Sequence, residues 1–140
     1  HILGKKMYEL KSINTLVIHC SDTPDNSDIS AKDIHNMHLG FGWDGIGYHK
    51  VIKRDGIIEN GRPEYWIGAH VKGKNNVTLG VCLIGRNNFT KEQFLSLEIV
   101  LRKWKIKYPK ASILGHFQII KTNKTCPNFN VEKWCAKIGL

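Results

Sequence analysis

Acidic residues are scarce in this chain: 12 Asp and Glu stand against 21 Lys and Arg in 140 residues, a formal net charge of +9 with histidine neutral. On so small a surface that excess favours polyanionic partners such as nucleic acid, anionic lipid or acidic cell-wall polymers, without choosing among them. Cysteine is sparse too. Cys20, Cys82, Cys126 and Cys135, with no CxxC pair, exclude a disulfide scaffold and a compact zinc finger. With 4 Pro and 13 Gly the chain is neither collagenous nor low-complexity. No run of 18 apolar residues exists for a membrane span, and the opening segment HILGKKMYELKS lacks the apolar stretch of a secretory signal. The expectation is a monomer made in the cytoplasm without a signal peptide and without membrane insertion. Its length suits one domain, with residues 1–11 as a tail and 12–140 as the domain.

What is present is an ordinary globular pattern, 41% hydrophobic and 24% charged. Residues 15–19, TLVIH, read as a buried strand ending on a histidine. Ser30 and Asp33 form a capping box before a helix over about 31–39, with Ile34, Met37 and His38 on one side. Tyr48 to Ile52 predicts a strand that turns at Arg54-Asp55-Gly56 into Ile57-Ile58-Glu59, a hairpin. Val77 to Gly85 is apolar on both faces, as a central strand would be. Thr90 and Gln93 cap an amphipathic helix carrying Phe94, Leu97, Leu101, Trp104 and Tyr108 inward. Ile113-Leu114 gives a short strand, and Asn130 caps a last helix with Val131, Trp134, Cys135 and Ile138 inward. The order βαβββαβα predicts an α/β domain: a single mixed central β-sheet flanked by helices.

Two of these strands end in a histidine followed by a loop, His19 and His116, and Cys126 comes ten residues after the second. Strand ends are where α/β sheets gather ligands, and imidazole with thiolate is a preferred zinc donor set. Three donors leave a tetrahedral ion one open position, the catalytic arrangement. The competing reading is two surface histidines and a buried thiol, and spacing alone leaves both open. His49 should point away from its neighbour Tyr48 and is read as structural. His35, three residues before His38, falls on an exposed face.

Four ordered blocks carry a resemblance: LVIHCSDTP, GWDGIGYHKVIKRDGIIENGR, GAHVKGKNNVTLGVCLIG and GHFQIIKTNKTCPNF. On these, from about Leu16 to Trp134, the chain resembles the type 2 N-acetylmuramoyl-L-alanine amidases, which share their fold with the peptidoglycan recognition proteins, and is most similar to the small phage enzymes of that family. The resemblance implies a single zinc ion held by His19, His116 and Cys126. It implies hydrolysis of the amide between N-acetylmuramic acid and L-alanine in peptidoglycan, with muropeptides as partner. It matches Tyr48 to a family tyrosine beside the zinc water and Lys124 to a lysine of the phage-type members, both suited to stabilising an oxyanion and moving protons. His70 matches a cleft histidine expected to contact substrate, and Asn76, with Val77, is placed in the same loop. His38 matches a helix histidine away from the metal.

Two departures stand out. Many relatives carry an acidic residue where this chain has Gln118, which removes a carboxylate from around the second histidine. The segment FQIIKTN is lysine-containing and lacks a proline common there, so the placement of Lys124 is the weaker match. Two other classes remain in view: a non-catalytic muropeptide-binding module, disfavoured by the complete ligand set, and a polymerase- or nucleic-acid-binding regulator, little supported because the basic residues are scattered. The same resemblance implies action on the cell wall, after the manner of a phage endolysin, or on cytoplasmic muropeptides.

Overall fold

The computed structural model describes residues 13–119 and 125–140. The expected tail lies outside the described residues, as does Lys124. Five strands form one mixed sheet in the order β3-β2-β4-β1-β5, from β1 (Thr15–Cys20), β2 (Lys50–Ile52), β3 (Ile58–Asn60), β4 (Thr78–Leu83) and β5 (Ser112–Gly115). Strand β1 pairs in parallel with both β4 and β5, β2 pairs in parallel with β4, and β3 returns antiparallel at the edge. Strand β4, apolar apart from Thr78 at its start, is fully buried along its length, as a central strand requires.

Alternation along the strands sorts the core into two layers. On one face Leu16, Ile18, Leu79, Val81 and Leu83 pack against Leu97, Leu101 and Trp104 of α2 (Lys91–Lys107) and Val131 of α4 (Val131–Ile138). On the other, Val51, Cys82 and Ile84 meet Ala31 and Ile34 of α1 (Ala31–Gly40). Both capping boxes form, Ser30 with Asp33 and Thr90 with Gln93, and Asn130 caps α4 through the Lys133 N–H. A four-residue helix, α3 (His116–Ile119), and a 3-10 turn at Asn75–Val77 are absent from the sequence reading, being too short to carry apolar periodicity. Two side chains on α1 also depart from it. Met37 is 45% exposed rather than inward, because Ile34 and His38 already fill the stripe facing the sheet. His35 is half-buried rather than exposed, since its Nδ1 accepts the Ile46 N–H at 3.0 Å.

Parallel pairing also brings two histidines together. Ile18 is paired with Gly115, so the next residues, His19 and His116, emerge side by side at the carboxyl edge of the sheet. The loops there are tied together by Asp25, whose carboxylate accepts the N–H groups of Arg86, Asn87 and Asn88 at 2.7, 3.2 and 3.2 Å.

Gln93 does more than cap. Fully buried, it donates through Nε2 to the carbonyls of Ile52 (3.2 Å) and Ile84 (2.8 Å), where β2 and β4 end. Its Oε1 accepts from the Thr90 N–H and the Arg54 guanidinium. Gln93→Leu removes every one of these bonds, the two to the Ile52 and Ile84 carbonyls being buried, so it should lower unfolding free energy by about 2–4 kcal/mol in urea titration. A loss under about 0.5 kcal/mol contradicts this role.

Candidate functional site

The site is assembled from three segments. His19 is the last residue but one of β1 and is 1% exposed, His116 opens α3, and Cys126 lies in the turn before α4. One ligand atom from each lies within 4.8 Å of the others, within reach of a single ion. The His19 and His116 rings stand 4.6 Å apart between centroids. Local bonds hold the cluster: the Phe117 N–H donates to the Cys126 carbonyl at 3.0 Å, and the Cys20 N–H donates to the Cys126 sulfur at 3.0 Å. Backbone N–H groups pointing at sulfur favour its thiolate form. Gln118, where an acid was expected, accepts the Gly115 N–H through Oε1 at 2.7 Å and so braces the turn that presents His116. The donor set therefore fits a zinc ion on its chemistry, two imidazoles and a sulfur with supporting bonds already in place.

The cluster opens into a cleft of about 760 Å³, walled by His19, Trp43, Tyr48, His70, Asn75 and Cys126 among others. The Tyr48 ring stands 5.0 Å from that of His19, and the side chain packs against the layer that contains the buried Cys82. Burial holds the Tyr48 hydroxyl well above the usual phenol range, so it stays a proton donor. The two thiols act on each other: the neighbouring Cys126 side chain holds the Cys20 thiol below its usual range against the effect of burial, while the Cys20 side chain and burial push the Cys126 thiol up. His70 is in the cleft wall, but its Nδ1 is 2.8 Å from Nε2 of His19, a contact that its sequence match did not suggest. Asn76 is exposed and does not line the cleft. Its neighbour Asn75 does, and its Oδ1 accepts the N–H groups of His70 (2.9 Å) and Val71 (2.8 Å).

His49 is structural as expected: Nδ1 accepts the Gly80 N–H at 3.1 Å and Nε2 donates to the Trp66 carbonyl at 2.9 Å. His38 accepts the Gly47 N–H at 3.0 Å and packs on Trp43 and Tyr48, with ring centroids 4.6 and 5.7 Å away. It thereby supports the cleft wall from behind. Sequence reasoning missed Asn75, the Cys20 N–H and the packing of Tyr48 against the Cys82 layer. Only the doublet Asn75-Asn76 gave a signal, and it did not say which asparagine turns inward.

Residues 9–129 match the N-acetylmuramoyl-L-alanine amidase family. The endolysin of Enterobacteria phage K11 is 39% identical over 125 residues, covering 84% of this chain and 82% of the relative. Among solved structures, the N-acetylmuramoyl-L-alanine amidase LysC from Clostridium intestinale URNW superposes with a TM-score of 0.83 at 31% identity, over 96% of this chain and 91% of that one. A Drosophila PGRP-LB mutant in complex with tracheal cytotoxin gives a TM-score of 0.80 at 25% identity, over 94% and 84%. The chain belongs to the N-acetylmuramoyl-L-alanine amidase family, and it is an amidase.

Burial sets a pH dependence. His49 is lowered to about 4 mainly by desolvation, and His19 and His70 lie well below 6.5 for the same leading reason. The unfolded chain protonates these groups near 6.5 while the folded one refuses, so unfolding takes up protons as pH falls from about 6.5 toward 4. EDTA-treated protein should therefore lose stability between pH 7.5 and 5, by up to about 1.4 kcal/mol per pH unit for each such histidine. Equal urea midpoints at both pH values contradict it.

Proposed function

We propose that this amidase is zinc-dependent and cleaves the amide between N-acetylmuramic acid and the L-alanine of the stem peptide in peptidoglycan. The observation that carries the reading is the His19, His116 and Cys126 cluster, convergent from three segments and open onto the cleft. A bound zinc ion supplies Lewis acidity at a carbonyl oxygen and brings the pKa of water near about 7. The remaining chemistry belongs to the chain. His19, His116 and Cys126 hold the ion at the cleft floor. Tyr48, kept protonated by burial, donates a hydrogen bond to charge developing on the scissile carbonyl oxygen. Lys124, by resemblance, adds a second donor and a proton for the leaving amine. Trp43 and Tyr48 give the cleft aromatic walls that reduce the water around the reacting amide.

The endolysin relative and the PGRP-LB complex with tracheal cytotoxin support a cell-wall substrate, with muropeptide as the ligand. The net charge of +9 supports the same class, because attraction to anionic wall polymers holds the enzyme near its bonds. Among the described residues, no helix is long and apolar enough to cross a membrane. The binding-module alternative is opposed by the intact three-donor set.

Cys126→Ser should take zinc content from about one ion per chain, measured by elemental mass spectrometry, to well below it, and turnover should fall with it. Full zinc and full turnover in that variant contradict the assignment. Tyr48→Phe should keep its zinc and lose kcat on the order of 100-fold. Unchanged kcat would leave Tyr48 as a packing partner of Cys82.

A further inference from the structure

Resting on the zinc reading above, we infer that His70 is a positioning residue that holds His19 in its Nε2–H tautomer, delivering the His19 Nδ1 lone pair to the metal site. The direction of the protons is set by an oxygen at the far end of the chain of bonds. The Thr78 hydroxyl has one proton and donates it to the Lys74 carbonyl at 3.0 Å. Toward His70 Nε2, 3.2 Å away, its oxygen therefore offers a lone pair. That contact calls for the proton of a neutral His70 on Nε2, which leaves Nδ1 as an acceptor. Across the 2.8 Å contact the donor is then Nε2–H of His19. The His19 nitrogen left without a proton is Nδ1, and only an unprotonated ring nitrogen can ligate.

The surroundings of His70 are built for one ring in one orientation. Gly80 and Gly68 form its slot: a Cβ on Gly80 would stand 2.6 Å from His70 Nδ1, and one on Gly68 would stand 2.7 Å from its Cδ2. Glycine is required at both by this close approach. The His49 ring meets His70 edge-on at 5.7 Å, and Asn75 Oδ1 anchors the backbone of His70 itself. The ring is half-buried in the cleft wall, and its Nδ1 edge addresses His19. A substrate-contact role, the expectation from sequence, needs none of this chain of bonds. The reversed direction, with His70 donating from Nδ1, would place a bare Nε2 against a Thr78 oxygen whose proton is already given to Lys74, and a proton on His19 Nδ1, the nitrogen that the His70 contact leaves free to ligate.

The test reads tautomers and affinity rather than turnover. In 15N-histidine-labelled, metal-free wild type, NMR should report His19 with a protonated Nε2 and a bare Nδ1; protonation at Nδ1 overturns the inference without any variant. Zinc competition against a chromophoric chelator should give His70→Leu an affinity on the order of 10–100-fold weaker than wild type. His70→Asn, which keeps an acceptor oxygen near the Nδ1 position, should recover most of that loss. Thr78→Val should weaken zinc by a smaller factor in the same direction. A natively folded His70→Leu that binds zinc as wild type does, with only KM for substrate changed, overturns the inference and returns His70 to substrate contact. Wild type that takes up no zinc overturns instead the reading of the site on which the inference rests.

Discussion

The site depends on one hydrogen bond between residues 106 positions apart, from the Cys20 N–H to the sulfur of Cys126. That N–H is available because the pairing of β1 with β5 stops at Ile18 opposite Gly115, while β1 runs on beside β4 to Cys20. The same register places His19 and His116 beside each other. Phe117, one residue on, ties its N–H to the Cys126 carbonyl, so the third donor is held by groups adjacent to the other two. A sheet register therefore fixes a donor set, and the register itself is held by the two-sided burial of β1 and β4, since a slip of one residue would turn His19 into the apolar layer of Leu16 and Ile18.

Around this centre the chain collects imidazoles in neutral form. His19 and His49 are buried and His70 is half-buried, and each is depressed chiefly by loss of solvent. A cluster of neutral rings can only be satisfied by alternating donors and acceptors, and carbonyls at its margins set the alternation: Trp66 for His49, Lys74 through Thr78 for His70. Backbone acceptors cannot reverse, so the proton positions are imposed from the fold inward to His19, the proposed ligand. Gln118 contributes a neutral oxygen to the turn that presents His116.

Much of this was legible in the sequence because it rests on periodicity and capping chemistry. The two-faced apolar run of β4, the Ser30 and Thr90 capping boxes and the stripe from Leu97 to Trp104 each express a local rule, and each formed at its predicted place. The three donors were legible as strand ends and a nearby thiol, although their convergence rested on resemblance to a family. What stayed hidden was contact between distant side chains. Nothing in GAHVKG says that the His70 ring turns back onto His19, and nothing in KNNV distinguishes the inward Asn75 from the outward Asn76. Met37 and His35 were misplaced for a related reason. On a helix of ten residues the apolar stripe is only two or three positions wide, and the Ile46 N–H, supplied by a different segment, draws His35 inward beside the buried His38.

Whether a zinc-loaded His19, His116 and Cys126 centre cuts the amide that joins stem peptide to glycan can be read by mass spectrometry of purified peptidoglycan after digestion. Free stem peptides with new L-alanine amino termini should appear when zinc is supplied, and none after chelation. Release that persists unchanged after chelation would contradict the metal's part in the reaction, and a wall that is bound but uncut with zinc present would contradict the reaction itself.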